Sequence, residues 1–141
     1  MNEKHTISCL VENHFGVLAR VSGLISARAF NIDSLTVSAT EDPTISRMTI
    51  VVDADAIKLE QVKRQLDRLI DVIDVKELRE GEFIDRELLL AQVKIAGKGR
   101  AELERVVRAC GGRLAEAADH SAVVEATGDT KVLAQLVEQL R

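Results

Sequence analysis

Two α+β units are predicted from three features of this sequence. Strand-like and helix-like hydrophobic periods alternate in the order βαββαβ as far as Leu78, a charged break follows around Gly81, and the same order then begins again. That order is the split-βαβ, ferredoxin-like arrangement, an antiparallel sheet with both helices on one face.

The elements can be justified in turn. From His5 to Glu12, Ile7, Cys9 and Val11 alternate with polar neighbours, the period of a strand with one buried face. Val17, Val21, Leu24 and Ile25 then recur at helical spacing, which predicts a helix from Val17 to Phe30, ended by Asn31. Ile32 to Thr40 and Arg47 to Asp53 are β-branched runs separated by a turn at Pro43. Leu59, Val62, Leu66 and Leu69 mark a second helix with Asp55 as its cap, and Val72 to Leu78 is the fourth strand. By alternation Leu10, Thr49 and Val51 lie on the face without helices, and a partly apolar open face of this kind pairs with something.

The first domain is thus residues 1–78, and the charged segment 79–85 around Gly81 reads as a linker. The second domain, 86–141, begins with a strand from Leu88 to Ala96 and a helix from Arg100 to Cys110. Strands from Arg113 to Ala118 and Ala122 to Thr127 follow, then a helix after Gly128-Asp129 carrying Val132, Leu133, Leu136, Val137 and Leu140. This is βαββα, the first order stopped before its last strand, which leaves an edge for a partner chain unless the sheet tolerates the gap.

Composition excludes several functions. No apolar run reaches the roughly 18 residues of a membrane span, and MNEKHTISC lacks the apolar core of a signal peptide, so a cytoplasmic location without membrane contact is expected. A net charge of −4, with no Trp, no Tyr and three Phe, provides neither the basic footprint nor the stacking platform of a nucleic-acid binder. Cys9 and Cys110 lie in apolar periodic segments and read as buried reduced thiols. His5, His14 and His120 are far apart in sequence; His5 and Cys9 share a strand face but do not make a metal site, so none is expected. Glu41-Asp42 reads as a solvated turn. No nucleophile elbow, phosphate loop or dinucleotide fingerprint is present, AGKGR at Ala96–Arg100 included, and no catalytic residue is assigned. An acylphosphatase-like use of Arg20 and Asn13 fails because, with Arg20 inside the helix, the two do not converge on one phosphate.

One stretch stands out: ENHFGVLAR, residues 12–20. A helix start leaves backbone N–H groups unpaired and partly positive, a seat for a carboxylate, and Gly16 allows unusual dihedrals and close approach of a ligand. Asn13 either offers its carbonyl to an ammonium group or caps the helix itself.

ENHFGVLARVSGL, FNIDSLTVSATEDPTISRMTIVV and LIDVIDV closely resemble the small regulatory subunit of acetolactate (acetohydroxyacid) synthase; DRELLLAQVKI and ATGD extend the resemblance more loosely to the second unit. It implies an N-terminal ACT domain that binds valine at a homodimer interface, followed by a second ferredoxin-like domain. It implies no active site of its own, and a catalytic large subunit carrying thiamine diphosphate, magnesium and FAD, which the chain activates and subjects to feedback inhibition in valine, leucine and isoleucine biosynthesis. By position, the effector residues are Asn13, His14, Phe15, Gly16, Val17 and Leu18, facing Asn31 and Ile32 of the neighbouring protomer. His14-Phe15 departs from the small residue or Pro common in the family, so Phe15 narrows the pocket or reaches across the interface. Family members also continue through a last strand and tail. A free-standing ACT-type amino-acid sensor and a purely structural dimerisation module are the alternatives.

Overall fold

A computed structural model describes residues 3–27, 30–79, 81–95, 99–118 and 120–141. They form two units, Met1–Phe83 and Ile84–Arg141.

In the first unit, β1 (Glu3–Glu12), β2 (Ile32–Ala39), β3 (Ile45–Ala54) and β4 (Val72–Leu78) make one sheet in the order β2-β3-β1-β4, each pair antiparallel. The register places Ile7 opposite Ile50 and Cys9 opposite Met48, so these side chains share one face. Two helices, α1 (Val17–Ser26) and α2 (Ala56–Leu66), cover that face with Val17, Val21, Ile25, Leu59, Val62 and Leu66, and a contiguous core results. Thr49 opposite Ser8 and Val51 opposite Thr6 occupy the other face, as alternation predicts. There Arg47 reaches across to donate to the Ser8 hydroxyl at 2.9 Å.

The helix expected to reach Phe30 instead ends at Ser26, with Ala27 as its cap; Arg28 and Ala29 lie outside the described residues. Phe30, half-buried, packs on the core from the connection to β2. Likewise α2 stops at Leu66, and Leu69 donates its N–H to the Leu66 carbonyl at 3.0 Å in the turn that aims the chain into β4. Asp55 caps α2 as expected, accepting from the Lys58 N–H at 2.9 Å.

In the second unit, β5 (Glu87–Lys94), β6 (Arg113–Ala117) and β7 (Ser121–Gly128) form a sheet ordered β5-β7-β6. With α3 (Gly99–Ala109) and α4 (Thr130–Gln139) they enclose a smaller core built on Val107, Val124, Ala126, Leu133 and Leu136. The end of the predicted first strand, Ala96, and most of AGKGR lie outside the described residues. β5 stands where β1 stands in the first unit, and among the described residues no strand covers its outer edge. Cys9 is fully buried, whereas Cys110 is only half-buried because it sits at the end of α3, where the chain turns out of the core; both are free thiols.

Candidate functional site

The end of β1 is fastened on both sides. Glu12 donates its N–H to the Asp71 carbonyl at 2.8 Å, from the turn before β4, and Asn13 donates its own to Thr44 at 2.7 Å, from the turn between β2 and β3. The Asn13 side chain continues the second attachment, Nδ2 donating to the Pro43 carbonyl at 2.8 Å. That turn is built by Asp42, whose carboxylate accepts from the Thr44 hydroxyl at 2.6 Å and from the Thr44 N–H at 2.8 Å. Both bonds hold the Asp42 carboxyl below its usual range. Asp42, read from sequence as part of a solvated turn, is exposed as expected and also shapes the turn whose carbonyls hold Asn13.

Asn13 does not cap α1. Gly16 occupies the N-cap position with φ 88°, in the left-handed region, and among the described residues no side chain caps the first helical turn. The helix begins with the Arg20 N–H donating to the Gly16 carbonyl at 3.0 Å. Asn13 Oδ1 and the first amides of α1 thus lie on one loop as acceptor and donors. Phe15 is 95% exposed and Leu18 44%, while Val17 is 2% exposed. The Val17 side chain belongs to the core, as the first inward-facing position of α1, so Val17 offers the loop its backbone amide rather than its side chain.

Behind the loop is a charge cluster that sequence spacing does not reveal. Asp71, 5% exposed, pairs through Oδ2 with the Arg20 guanidinium and through Oδ1 with His14 Nε2 at 3.2 Å. Nε2 also lies 3.1 Å from Glu12 Oε2, and Nδ1 lies 3.1 Å from the Phe15 carbonyl oxygen. The Phe15 carbonyl, then Glu12 and Asp71, raise the pKa of His14. Glu12, His14 and Asp71 bring potential metal ligands within 4.8 Å of one another, against the expectation from sequence that no histidine has partners at ligand spacing. With Arg20 on Asp71 and the imidazole within hydrogen-bond distance of both carboxylates, hydrogen bonds and ion pairs account for all three groups. Arg20 and the Asn13 amide point to different partners, Asp71 and Pro43, so no phosphate cradle is formed from them.

Asn31 and Ile32 lie elsewhere. Ile32 pairs with Val52, which also faces His5, whereas the loop leaves β1 at Glu12, opposite Ile45. The two halves of the predicted site therefore occupy opposite ends of the sheet, and one chain does not bring them together. Asn31 Nδ2 donates to Asp33 Oδ1 at 3.2 Å, and Asp33 is paired with Lys4 at 2.7 Å.

The chain matches two family models: the acetohydroxyacid synthase small subunit-like ACT domain over residues 7–74, and the small subunit of acetolactate synthase over residues 86–141. The chain belongs to the acetolactate synthase small-subunit family. The small subunit of Haemophilus influenzae is 41% identical over 138 residues, covering 98% of this chain and 85% of that one. A probable small subunit from Archaeoglobus fulgidus is 43% identical, covering 98% and 86%. The crystal structure of the Thermotoga maritima small subunit superposes with a TM-score of 0.90 at 30% identity, covering 98% of this chain and 86% of that one. The family thus shares both units with this chain, the ACT domain and the second ferredoxin-like one. No described helix is long and apolar enough to cross a membrane.

Proposed function

We propose that this chain is the regulatory subunit of an acetolactate synthase and that it binds valine on the β1–α1 loop. The observation that carries the reading is the uncapped start of α1 at Gly16, with Asn13 beside it on a doubly fastened strand end. A zwitterion complements that pair: its carboxylate on the amides of residues 16–18, its ammonium group on Asn13 Oδ1, its branched side chain against the exposed part of Leu18. A second copy of the chain supplies Asn31 and Ile32, closing a site that a single chain leaves open. The partner is a catalytic large subunit holding thiamine diphosphate, magnesium and FAD, and this chain contributes activation and feedback inhibition rather than a reacting group. A micromolar-to-millimolar effector provides about 4–8 kcal/mol of binding, enough for the roughly 1–3 kcal/mol of coupling that allosteric control requires.

The test is acetolactate formation by the cognate large subunit, with and without this chain, each with and without valine. Stimulation by the chain that valine reverses is the expected result. Valine binding without stimulation would favour a free-standing sensor, and no valine binding would leave a structural dimerisation module.

A further inference from the structure

We infer that His14 is a proton-dependent positioning residue for the effector loop: as an imidazolium it donates from both ring nitrogens, Nδ1 to the Phe15 carbonyl and Nε2 to Asp71 and Glu12, and so fixes the direction of the Gly16 N–H. The inference rests on the valine-binding reading above for its functional consequence, but its geometry stands alone.

Every group that the two ring nitrogens face is an acceptor. Nδ1 lies 3.1 Å from the Phe15 carbonyl oxygen; Nε2 lies 3.1 Å from Glu12 Oε2 and 3.2 Å from Asp71 Oδ1. A neutral imidazole carries one N–H and satisfies one side of this arrangement; the cation carries two and satisfies both. The charged groups around the ring come from each element that meets it: Glu12 from β1, Asp71 from the turn before β4, and Arg20 from α1, which holds the other oxygen of Asp71. Two carboxylates against one guanidinium leave a deficit of one positive charge, which the imidazolium fills. The raised pKa of His14 has the same sense.

The peptide bond carries the effect to the ligand side. Because the Phe15–Gly16 unit is planar and trans, its carbonyl and N–H point in opposite directions. Drawing the Phe15 carbonyl toward the ring turns the Gly16 N–H away from it, and Gly16, with no Cβ and φ 88°, is the position in the loop most free to rotate when that bond is lost. Asp71, buried and tied to Arg20, anchors the ring to the body of the unit. Losing the proton releases one end of this clamp, and ordering of the loop then falls to the ligand.

Valine affinity should therefore be higher at low pH and fall as pH rises through the His14 pKa, by about three- to tenfold if the loop couples to His14 by roughly half to one pKa unit. Calorimetric titration of the full chain with valine at about pH 6 and about pH 8.5, on the native protein and on His14→Gln, tests this, with the Gly16 amide resonance followed by NMR over the same range. The expected result is a pH-dependent dissociation constant in the native chain, a flat and weaker one in H14Q, and a Gly16 amide that shifts along the His14 titration. The same pH slope in H14Q, or a flat native profile, overturns the inference. If valine binds at neither pH, the functional reading fails, and the Gly16 resonance alone decides the clamp: an amide that ignores His14 protonation refutes it.

Discussion

Substitutions at Gly16 separate backbone strain from ligand exclusion. A side chain held at φ 88° costs roughly 1–2 kcal/mol for an L residue. The nearest atom to an added Cβ is Arg20 Nη2 at 3.8 Å, an ordinary contact, so no steric clash adds to that cost. Gly16→Ala should thus fold and lose about 1 kcal/mol, a fall in Tm of roughly 4–8 °C for a unit of this size. Asp enters the left-handed region more readily, and its charge at a helix start returns about 0.3–1 kcal/mol, so Gly16→Asp should be the more stable of the two variants. Valine binding should follow a different order. Ala leaves the amides accessible and weakens binding modestly, while Asp places a carboxylate where the ligand's own would sit and abolishes it. Thermal unfolding and calorimetric titration on the same preparations read both orders. An Ala variant as stable as the native chain would refute the strain argument, and an Asp variant with native valine affinity would refute the placement of the site.

Gly112→Ala should destabilise the second unit by about 1–3 kcal/mol, since its Cβ would lie 2.8 Å from the Glu125 carbonyl oxygen and 2.9 Å from Val107 Cγ1; a urea midpoint equal to the native one would show that β7 and α3 can part there. Burial, aided by nearby Asp74, pushes the Cys9 thiol up to about 11, so a thiol-alkylating reagent near neutral pH should modify the half-exposed Cys110 first and Cys9 only on unfolding; equal native rates would contradict this. Acid should destabilise both units. Asp55 is lowered by the Lys58 N–H, Asp42 by the Thr44 hydroxyl and N–H, and Asp85 by the Thr130 N–H and hydroxyl, so each favours the fold in its charged form. That stability is fully present above the unfolded carboxylate pKa of about 4 and is lost as pH falls through the lower folded values; a Tm that holds between about pH 7 and 5 and drops below about 4 is the expected profile, and Asp55→Asn should reduce the drop.

Much of the fold is legible because it is local. Ile7, Cys9 and Val11 declare a strand by alternation, and Asp55 and Asp129 sit where a helix needs an acceptor; Asp129 takes the Val132 N–H at 2.8 Å. Helix ends are less legible. Nothing in the composition around Ser26 marks the end of α1, and Phe30, which the apolar pattern assigns to the helix, packs on the core beyond it.

The candidate site divides in the same way. The loop from Asn13 to Leu18 and the helix start within it are contiguous, so sequence by itself determined them as a candidate, together with the family and the order of elements in both units, while leaving open whether Asn13 caps that helix. Only the tertiary structure decided what surrounds them. Asp71 reads as one more acidic residue between Ile70 and Val72 until pairing of β1 with β4 brings its turn against the end of β1. It then becomes a buried carboxylate shared by Arg20, 51 residues away, and His14. Asn13 likewise turns from a possible cap into a strap on Pro43 because the β2–β3 turn arrives beside it. Periodicity records which face a residue turns inward, but the partner it meets there depends on register between distant segments, and register exists only once the sheet has formed.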